Sequence, residues 1–407
     1  MGRPFARPQS WSVLYAGRQA RRRNDPRRAD AVAYTTKRSG ELTPSDRRMA
    51  PSTAPSDRED NMTDEIPHDL PLDRLVPWLE KEIDGFAGPV TVTKFKGGQS
   101  NPTYRLSTPG GDYVLRRKPF GDLLPSAHAV DREYRLISAL SETPVPVAEP
   151  FCLCDDDDVI GSMFYVMEFV PGRTISDGLI PDATPAERGG MYRNLIETLG
   201  DLHSVDYQAL GLSDFGKAGN YFERQIGRWT KQYKAAETDD IPEVERLIEF
   251  LPETVPAQQR SSIIHGDYRI DNAMFDVDSP EILAVLDWEL STIGDPMADF
   301  TYLLMQWSLP VYKGQAGLMG ADLDALGIPQ VNEAVAIYRA RTGIDGVPDL
   351  NWYFAYNLFR LVGILQGVKK RALMGNASSP FAMKAAAMIE PFSKMAWTFA
   401  EKAKGPN

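Results

Sequence analysis

The chain has 407 residues, of which 43% are hydrophobic and 25% charged, with a formal net charge of −11 at neutral pH. This length is enough for two or three lobes around a sizeable core. The acidic balance argues against nucleic acid as the main partner, because phosphate binding needs a basic face, and no run of 18 apolar residues is present to span a membrane.

In chain order, the first stretch is basic. Residues 1–61 carry 13 Lys/Arg and 7 Asp/Glu, a net of +6, which leaves −17 for the remainder. Rich in Arg, Pro, Ser and Asp and without apolar periodicity, residues 1–70 are expected to be disordered, with Met49 or Met62 as the expected initiator. From Gly88 to about Val170 the pattern is mostly β. "PVTVTKFK" alternates apolar and polar residues, "GGQSNPTYRL" is a Gly-rich turn into a second strand, and "GDYVLRRK" is a turn into a third. In "SAHAVDREYRLISALSE", Val130, Tyr134, Ile137 and Leu140 recur at helical spacing, with Ser126 placed to cap the helix. Strands around "VAEPFCLC" and "SMFYVMEFV" flank "DDDDVIG", whose four aspartates read as a solvated hairpin loop. The only cysteines, Cys152 and Cys154, have a spacing that suits neither a structural disulfide nor a zinc site. Reduced thiols in a cytoplasmic protein fit them better.

After Pro171 the pattern turns helical, with "ERGGMYRNLIETLGDLHSVD", "NYFERQIGRWTKQYKAAE" and "EVERLIEFLP". A strand pair is expected around "NAMFD" and "ILAVLDWE", and helices again from Met297 onward. Before that pair stands "IIHGDYRIDN", where two β-branched residues lead into a cluster of groups that are costly to bury. Asp267 sits five residues before Asn272, and Asp287 ends an apolar strand 15 residues after it. An Asp and an Asn converging from a strand end and a loop suit Mg²⁺, which takes oxygen ligands and keeps waters for substrate phosphates. A separate Asp can accept a hydroxyl proton. That division of labour is the one used in phosphoryl transfer.

"HGDYRIDN" followed by "LDWE", together with "GGQSNPTYRL", "YVLRRKP", "DREYRLISAL", "YVMEFVPG" and "LDWELSTIGDPMAD", resembles the aminoglycoside phosphotransferase and choline kinase superfamily. The set looks closest to the kinase domains associated with acyl-CoA dehydrogenases, and the likeness covers roughly Pro89 to Trp397. It implies an α+β, protein-kinase-like two-lobe fold, with a β-rich lobe holding one helix at 71–170 and a mainly helical lobe at 171–407. It also implies ATP and Mg²⁺ as cofactors. By that likeness Asp267 matches the catalytic base, and Asn272 and Asp287 match the metal ligands. Glu133 matches the acid that pairs with the ATP-binding cation. The backbone of Glu168 and Val170 matches the adenine-binding hinge, and Gly97 and Gly98 match the turn that covers the phosphates. One position departs from the kinase pattern, since Arg116 stands where the third-strand Lys would be. Period-2 alternation puts Val114, Arg116 and Lys118 on one face and Leu115 and Arg117 on the other. Arg116 is the expected phosphate clamp, with Lys118 as the alternative.

Other residues read more plainly. His265 is expected to bond backbone within the loop, His203 to be a satisfied helix-end histidine, Asp295 and Asp299 to cap the next helix and brace the loop, and Glu289 to be exposed or supporting. The expected activity is phosphorylation of a hydroxyl on a small molecule. Aminoglycoside O-phosphotransfer and a non-catalytic nucleotide-binding module are the alternatives. "HGD" in place of "HRD" and the short Asp287–Asp295 interval disfavour a protein kinase. From Asn351 to Ile389 there are five cations (Arg360, Lys369, Lys370, Arg371, Lys384) and no Asp or Glu. With Arg360 and Arg371 three helical turns apart on one expected face, this segment favours an anionic or neutral hydroxylated metabolite, such as a hydroxyacyl thioester, over a polycationic drug.

Overall fold

The computed structural model describes residues 70–95, 101–120, 128–311, 314–375 and 382–403. The 1–70 expectation (except Leu70), Gly97, Gly98 and the Ser126 cap lie outside them. The first element, α1 (Leu72–Glu82), is a helix beyond those expected from the sequence. Its Leu75 and Leu79 are fully buried, one turn apart on a single face. There follow β1 (Thr91–Lys94), β2 (Thr103–Thr108), β3 (Gly111–Arg117), α2 (Val130–Leu140), β4 (Pro150–Cys154), α3 (Asp157–Ile160) and β5 (Phe164–Glu168). The five strands form one antiparallel sheet in the order β1-β2-β3-β5-β4.

One sheet face, with Tyr104, Leu106, Leu115 and Val166, packs on α1 and α3. The other face meets α2. The period-2 expectation for β3 holds. Leu115 belongs to the first face, where buried Arg117 lies 3.9 Å from the Phe120 ring, and Arg116 faces α2. The "DDDDVIG" stretch is not simply a loop. Asp156 accepts a hydrogen bond from the Asp158 amide and starts the single helical turn of α3, which Gly161 ends at φ +81°. An N-cap aspartate and a left-handed glycine make a short helix out of an acidic run. Cys152 and Cys154 are buried and unpaired, and burial pushes the Cys152 thiol up to about 12.

The two-residue strand β6 (Arg173–Thr174) precedes α4 (Pro185–Ser204), α5 (Tyr221–Ala236) and α6 (Pro242–Glu253). Thr184 and Glu187 form a reciprocal capping box that sets the start of α4. Next come β7 (Ser262–Ile264), β8 (Ala273–Phe275), β9 (Ile282–Val285) and β10 (Thr292–Gly294). β10 is a strand the sequence did not announce, and it pairs antiparallel with β7. The remaining helices are α7 (Met297–Met305), α8 (Leu323–Leu326), α9 (Val331–Thr342), α10 (Leu350–Leu373), α11 (Ala382–Ala386) and α12 (Ile389–Ala403). α7 is buried along its whole length, and α10 is buried along its first half. Together they floor the segment between β7 and β8. Among the described residues no helix is long and apolar enough to cross a membrane.

Candidate active site

The polar cluster after β7 sorts itself by alternation. Tyr268 and Ile270 turn inward and are fully buried, and the Tyr268 hydroxyl donates to the Leu195 carbonyl on α4 at 2.8 Å. Asp267, Arg269, Asp271 and Asn272 remain partly exposed on the opposite side. Gly266 opens this turn at φ +87°, where an added Cβ would sit 2.7 Å from the Leu290 carbonyl oxygen. Only glycine meets both demands.

Buried side chains hold the loop by its backbone. Asp299 on α7 accepts from the amides of His265 and Gly266. Burial alone would raise this carboxyl, but His203, His265 and the Gly266 amide outweigh it and hold it below the ordinary Asp range. His203, in the last turn of α4, stands with Nε2 3.6 Å from Asp299 and Nδ1 2.7 Å from the Tyr338 hydroxyl. Its burial lowers its own pKa. Because the Leu286 carbonyl can only accept, His265 Nε2 donates to it at 2.8 Å, and Nδ1 accepts from the Asp267 amide at 3.2 Å. His265 is thus a backbone-binding residue, as its place in the sequence suggested. Asp295 accepts from the Met297 amide at 2.9 Å and caps α7.

Asn272 donates through Nδ2 to the Asp267 carbonyl at 2.9 Å and to its carboxylate at 3.3 Å, which turns Oδ1 away from Asp267. The β8–β9 register pairs Ala273 with Val285, and the Leu286 amide donates to the Asn272 carbonyl at 2.8 Å. The hairpin therefore brings Asp287 beside Asn272. Asp287 adopts φ 63°, ψ 64°, an unusual conformation for a residue with a Cβ, and its side chain is 41% exposed. Such non-glycine outliers collect at functional sites.

From the sheet side, Arg116 reaches the same place. Its Nε donates to Glu133 at 2.8 Å and its Nη2 to Asp287 at 3.0 Å, with Glu289 3.7 Å away. Burial alone would lower the Arg116 pKa, but Glu133, Tyr165 and Asp287 together raise it. Glu133, buried on α2, also accepts from Asn101 Nδ2 at 2.9 Å and the Tyr165 hydroxyl at 3.1 Å. Burial pushes its carboxyl up, and Arg116 pulls against that. Of the two candidate clamps, Arg116 is the one paired with the helix acid. At the strand end, the Glu168 amide donates to the Glu149 carbonyl at 2.8 Å.

The C-terminal cations do not form the expected stripe. Arg371 is exposed, but Arg360 is buried and donates to the Gly266 carbonyl at 2.6 Å. Lys369 pairs with Asp239, and Lys370 donates to the Ala235 carbonyl at 2.6 Å. Once the helix is docked on α5, its basic residues are divided among separate partners. The sequence signal missed here was a lone Arg amid "WYFAYNLFRLVG", an apolar setting that announces burial.

A two-lobed, kinase-like fold with this loop and hairpin defines a phosphotransferase. The chain belongs to the phosphotransferase enzyme family (APH), whose family model matches residues 91–328. It is 44% identical over 335 residues to acyl-CoA dehydrogenase family member 10 of Mus musculus, covering 82% of this chain and 31% of that protein. The chain spans less than half the length of the curated relatives it matches. A crystal structure from Ralstonia eutropha JMP134, provisionally described as an aminoglycoside phosphotransferase, is 47% identical with a TM-score of 0.76, covering 81% of this chain and 98% of that one. A thermostable mutant of aminoglycoside phosphotransferase APH(4)-Ia, solved with ADP and hygromycin B, shares the fold at 15% identity and a TM-score of 0.52, over 79% of this chain and 97% of that one.

Proposed function

We propose that the protein transfers a phosphoryl group from ATP, with Mg²⁺, to a hydroxyl of a small molecule, and that hydroxyacyl thioesters are its acceptor class. The observation that carries this reading is the convergence of Asp267, Asn272 and Asp287 opposite the Arg116–Glu133 pair. In this reading Asp267 orients the acceptor hydroxyl and takes its proton. Asn272 and Asp287 would hold the metal. They offer hard oxygen donors and only two protein ligands, which suits an ion that keeps waters and binds phosphate. The bound ion would supply neutralisation of phosphate charge. Arg116, aligned by Glu133, steadies phosphate oxygens. The Glu168 carbonyl and the Val170 backbone take the adenine, and Gly97 and Gly98 cover the phosphates. The nucleotide then belongs to the 71–170 lobe and the acceptor to the 171–407 lobe.

Two facts support the acceptor class. Relatives carry acyl-CoA dehydrogenase names. Arg269 lies close enough to Asp267 to feel its charge, a setting that opposes a polycation. The test is incubation with Mg-ATP and a panel of hydroxyacyl-CoA thioesters, free hydroxy acids and kanamycin-type sugars, with ADP and phosphorylated product read by mass spectrometry. Transfer to the thioesters is expected, and Asp267→Ala should lower turnover by about 10²–10⁴-fold with nucleotide affinity kept within a few-fold. Transfer to sugars alone would make the protein an aminoglycoside kinase. Nucleotide binding without transfer to any acceptor would make it a non-catalytic module.

A further inference from the structure

We infer that Arg360 is a positioning residue that sets the orientation of Asp267 by clamping the peptide plane between Gly266 and Asp267. The inference rests on the phosphotransfer reading above. That peptide is held at both ends. Its carbonyl accepts from Arg360 Nη2 at 2.6 Å, and its amide donates to His265 Nδ1 at 3.2 Å. The preceding residue is a glycine at φ +87°, which imposes little restraint of its own on the plane that follows. The Cα of Asp267 is attached directly to this plane, so rotating the plane re-aims the carboxylate.

Three further observations favour a positioning role over a general structural one. Arg360 is only 9% exposed, yet among the described residues no carboxylate forms an ion pair with it. Burying a guanidinium is costly, and here its direct hydrogen bond goes to the loop backbone while the carboxylate whose charge it feels is that of Asp267. Arg360 lies among aromatic neighbours, with the guanidinium carbon 4.9 Å from the Tyr302 ring centre and 5.7 Å from that of Trp229. Gly363, one turn further along α10, leaves ordinary contact room for Trp229, which would lie 3.4 Å from an added Cβ. Tyr302 joins the same cluster, facing Asp267, Arg269 and Arg360, with burial pushing its hydroxyl up to about 12. A planar fork held beside two rings presents its donors in fixed directions, which a flexible ammonium does not do. Arg360 also lies beyond the 91–328 stretch matched by the family model, so the motif residues alone do not report it.

The test compares Arg360→Ala and Arg360→Lys with wild type. Misplacement of the base predicts a kcat fall of about 100-fold for the Ala variant, with acceptor KM and nucleotide Kd within about twofold. Methylguanidine should restore part of that kcat. Arg360→Lys keeps the charge without the fork, and its kcat should fall about tenfold with KM unchanged. A parallel measurement is independent of catalysis, because amide exchange at Asp267 should speed up by about tenfold in either variant. Wild-type protein that transfers no phosphate would defeat the functional reading, and amide exchange would still decide the tether. An Ala variant with kcat and exchange within about threefold of wild type overturns the inference. So does a fall that enters through KM, or one that matches the unfolded fraction. If the Ala variant fails to fold, the Lys variant decides by the same criteria.

Discussion

On the sheet side of the cleft, Arg116 divides its guanidinium between Glu133 and Asp287. On the helical side, Asp299 accepts two backbone amides and Arg360 donates to a backbone carbonyl. The first arrangement joins side chain to side chain with the Asp287 carboxylate partly exposed, and in the proposed reading a phosphate or a cation would exchange partners with these charges. The second joins buried side chains to main chain, and it changes only if the loop itself moves. One wall is built to receive charge and the other to hold geometry. Phosphoryl transfer asks for both, because its catalysis is mostly charge neutralisation and positioning.

The contrast breaks first at Asp299. Replacing it with Ala leaves the amides of His265 and Gly266 buried without acceptors and should cost about 2–6 kcal/mol of stability. Chemical denaturation would show it as a lower midpoint, and an unchanged midpoint would mean that the loop is not anchored there.

Asp295 offers a pH-dependent version on the same wall. Burial raises its pKa from 3.8 to about 6, so the folded state binds more protons than the unfolded chain between those values. Its contribution to stability is therefore greatest below about pH 4, and is lost as pH rises through about pH 6. Asp295→Asn keeps an oxygen to cap Met297 and removes the buried charge. The variant should match wild type near pH 4 and exceed it by up to about 3 kcal/mol at pH 7. Denaturation curves at the two pH values check this, and an advantage equal at both would refute it.

The sheet-side wall responds differently. Asp287→Asn removes the charge that Arg116 meets and, in the proposed reading, one anionic metal ligand. Folding should be little affected, while the gain in nucleotide affinity that Mg²⁺ confers should shrink about tenfold, or about 1.4 kcal/mol. Calorimetric titration with and without Mg²⁺ reads that gain. If it is unchanged, the metal is held elsewhere and Asp287 belongs with the structural anchors.

Much of the candidate site was legible because it is local. Asp267, Asn272 and Asp287 lie on one loop and one hairpin, so their spacing is nearly their geometry, and the period-2 alternation of β3 is enough to put Arg116 and Arg117 on opposite faces. Helix α1 carries a legible signal too, since Leu72, Leu75 and Leu79 have the spacing of one face, but the polar, Pro-rich sequence just before it masks that pattern. The three residues of β10 are too few for a pattern, and they become a strand only because β7 lies beside them.

The sequence by itself determined the alternation of lobes, the polar loop and its metal-suited spacing, and the presence of a cation on the third strand. These follow from periodicity and from contacts within a few residues. Only the tertiary structure decided which charges meet. It brought Arg116 to Asp287 across 171 residues and Arg360 to Gly266 across 94. It also divided a run of C-terminal cations into one buried arginine, two partnered lysines, and an exposed Arg371 and Lys384. Composition states how many charges a helix carries, but the cost of burying each is set by the neighbours that packing supplies.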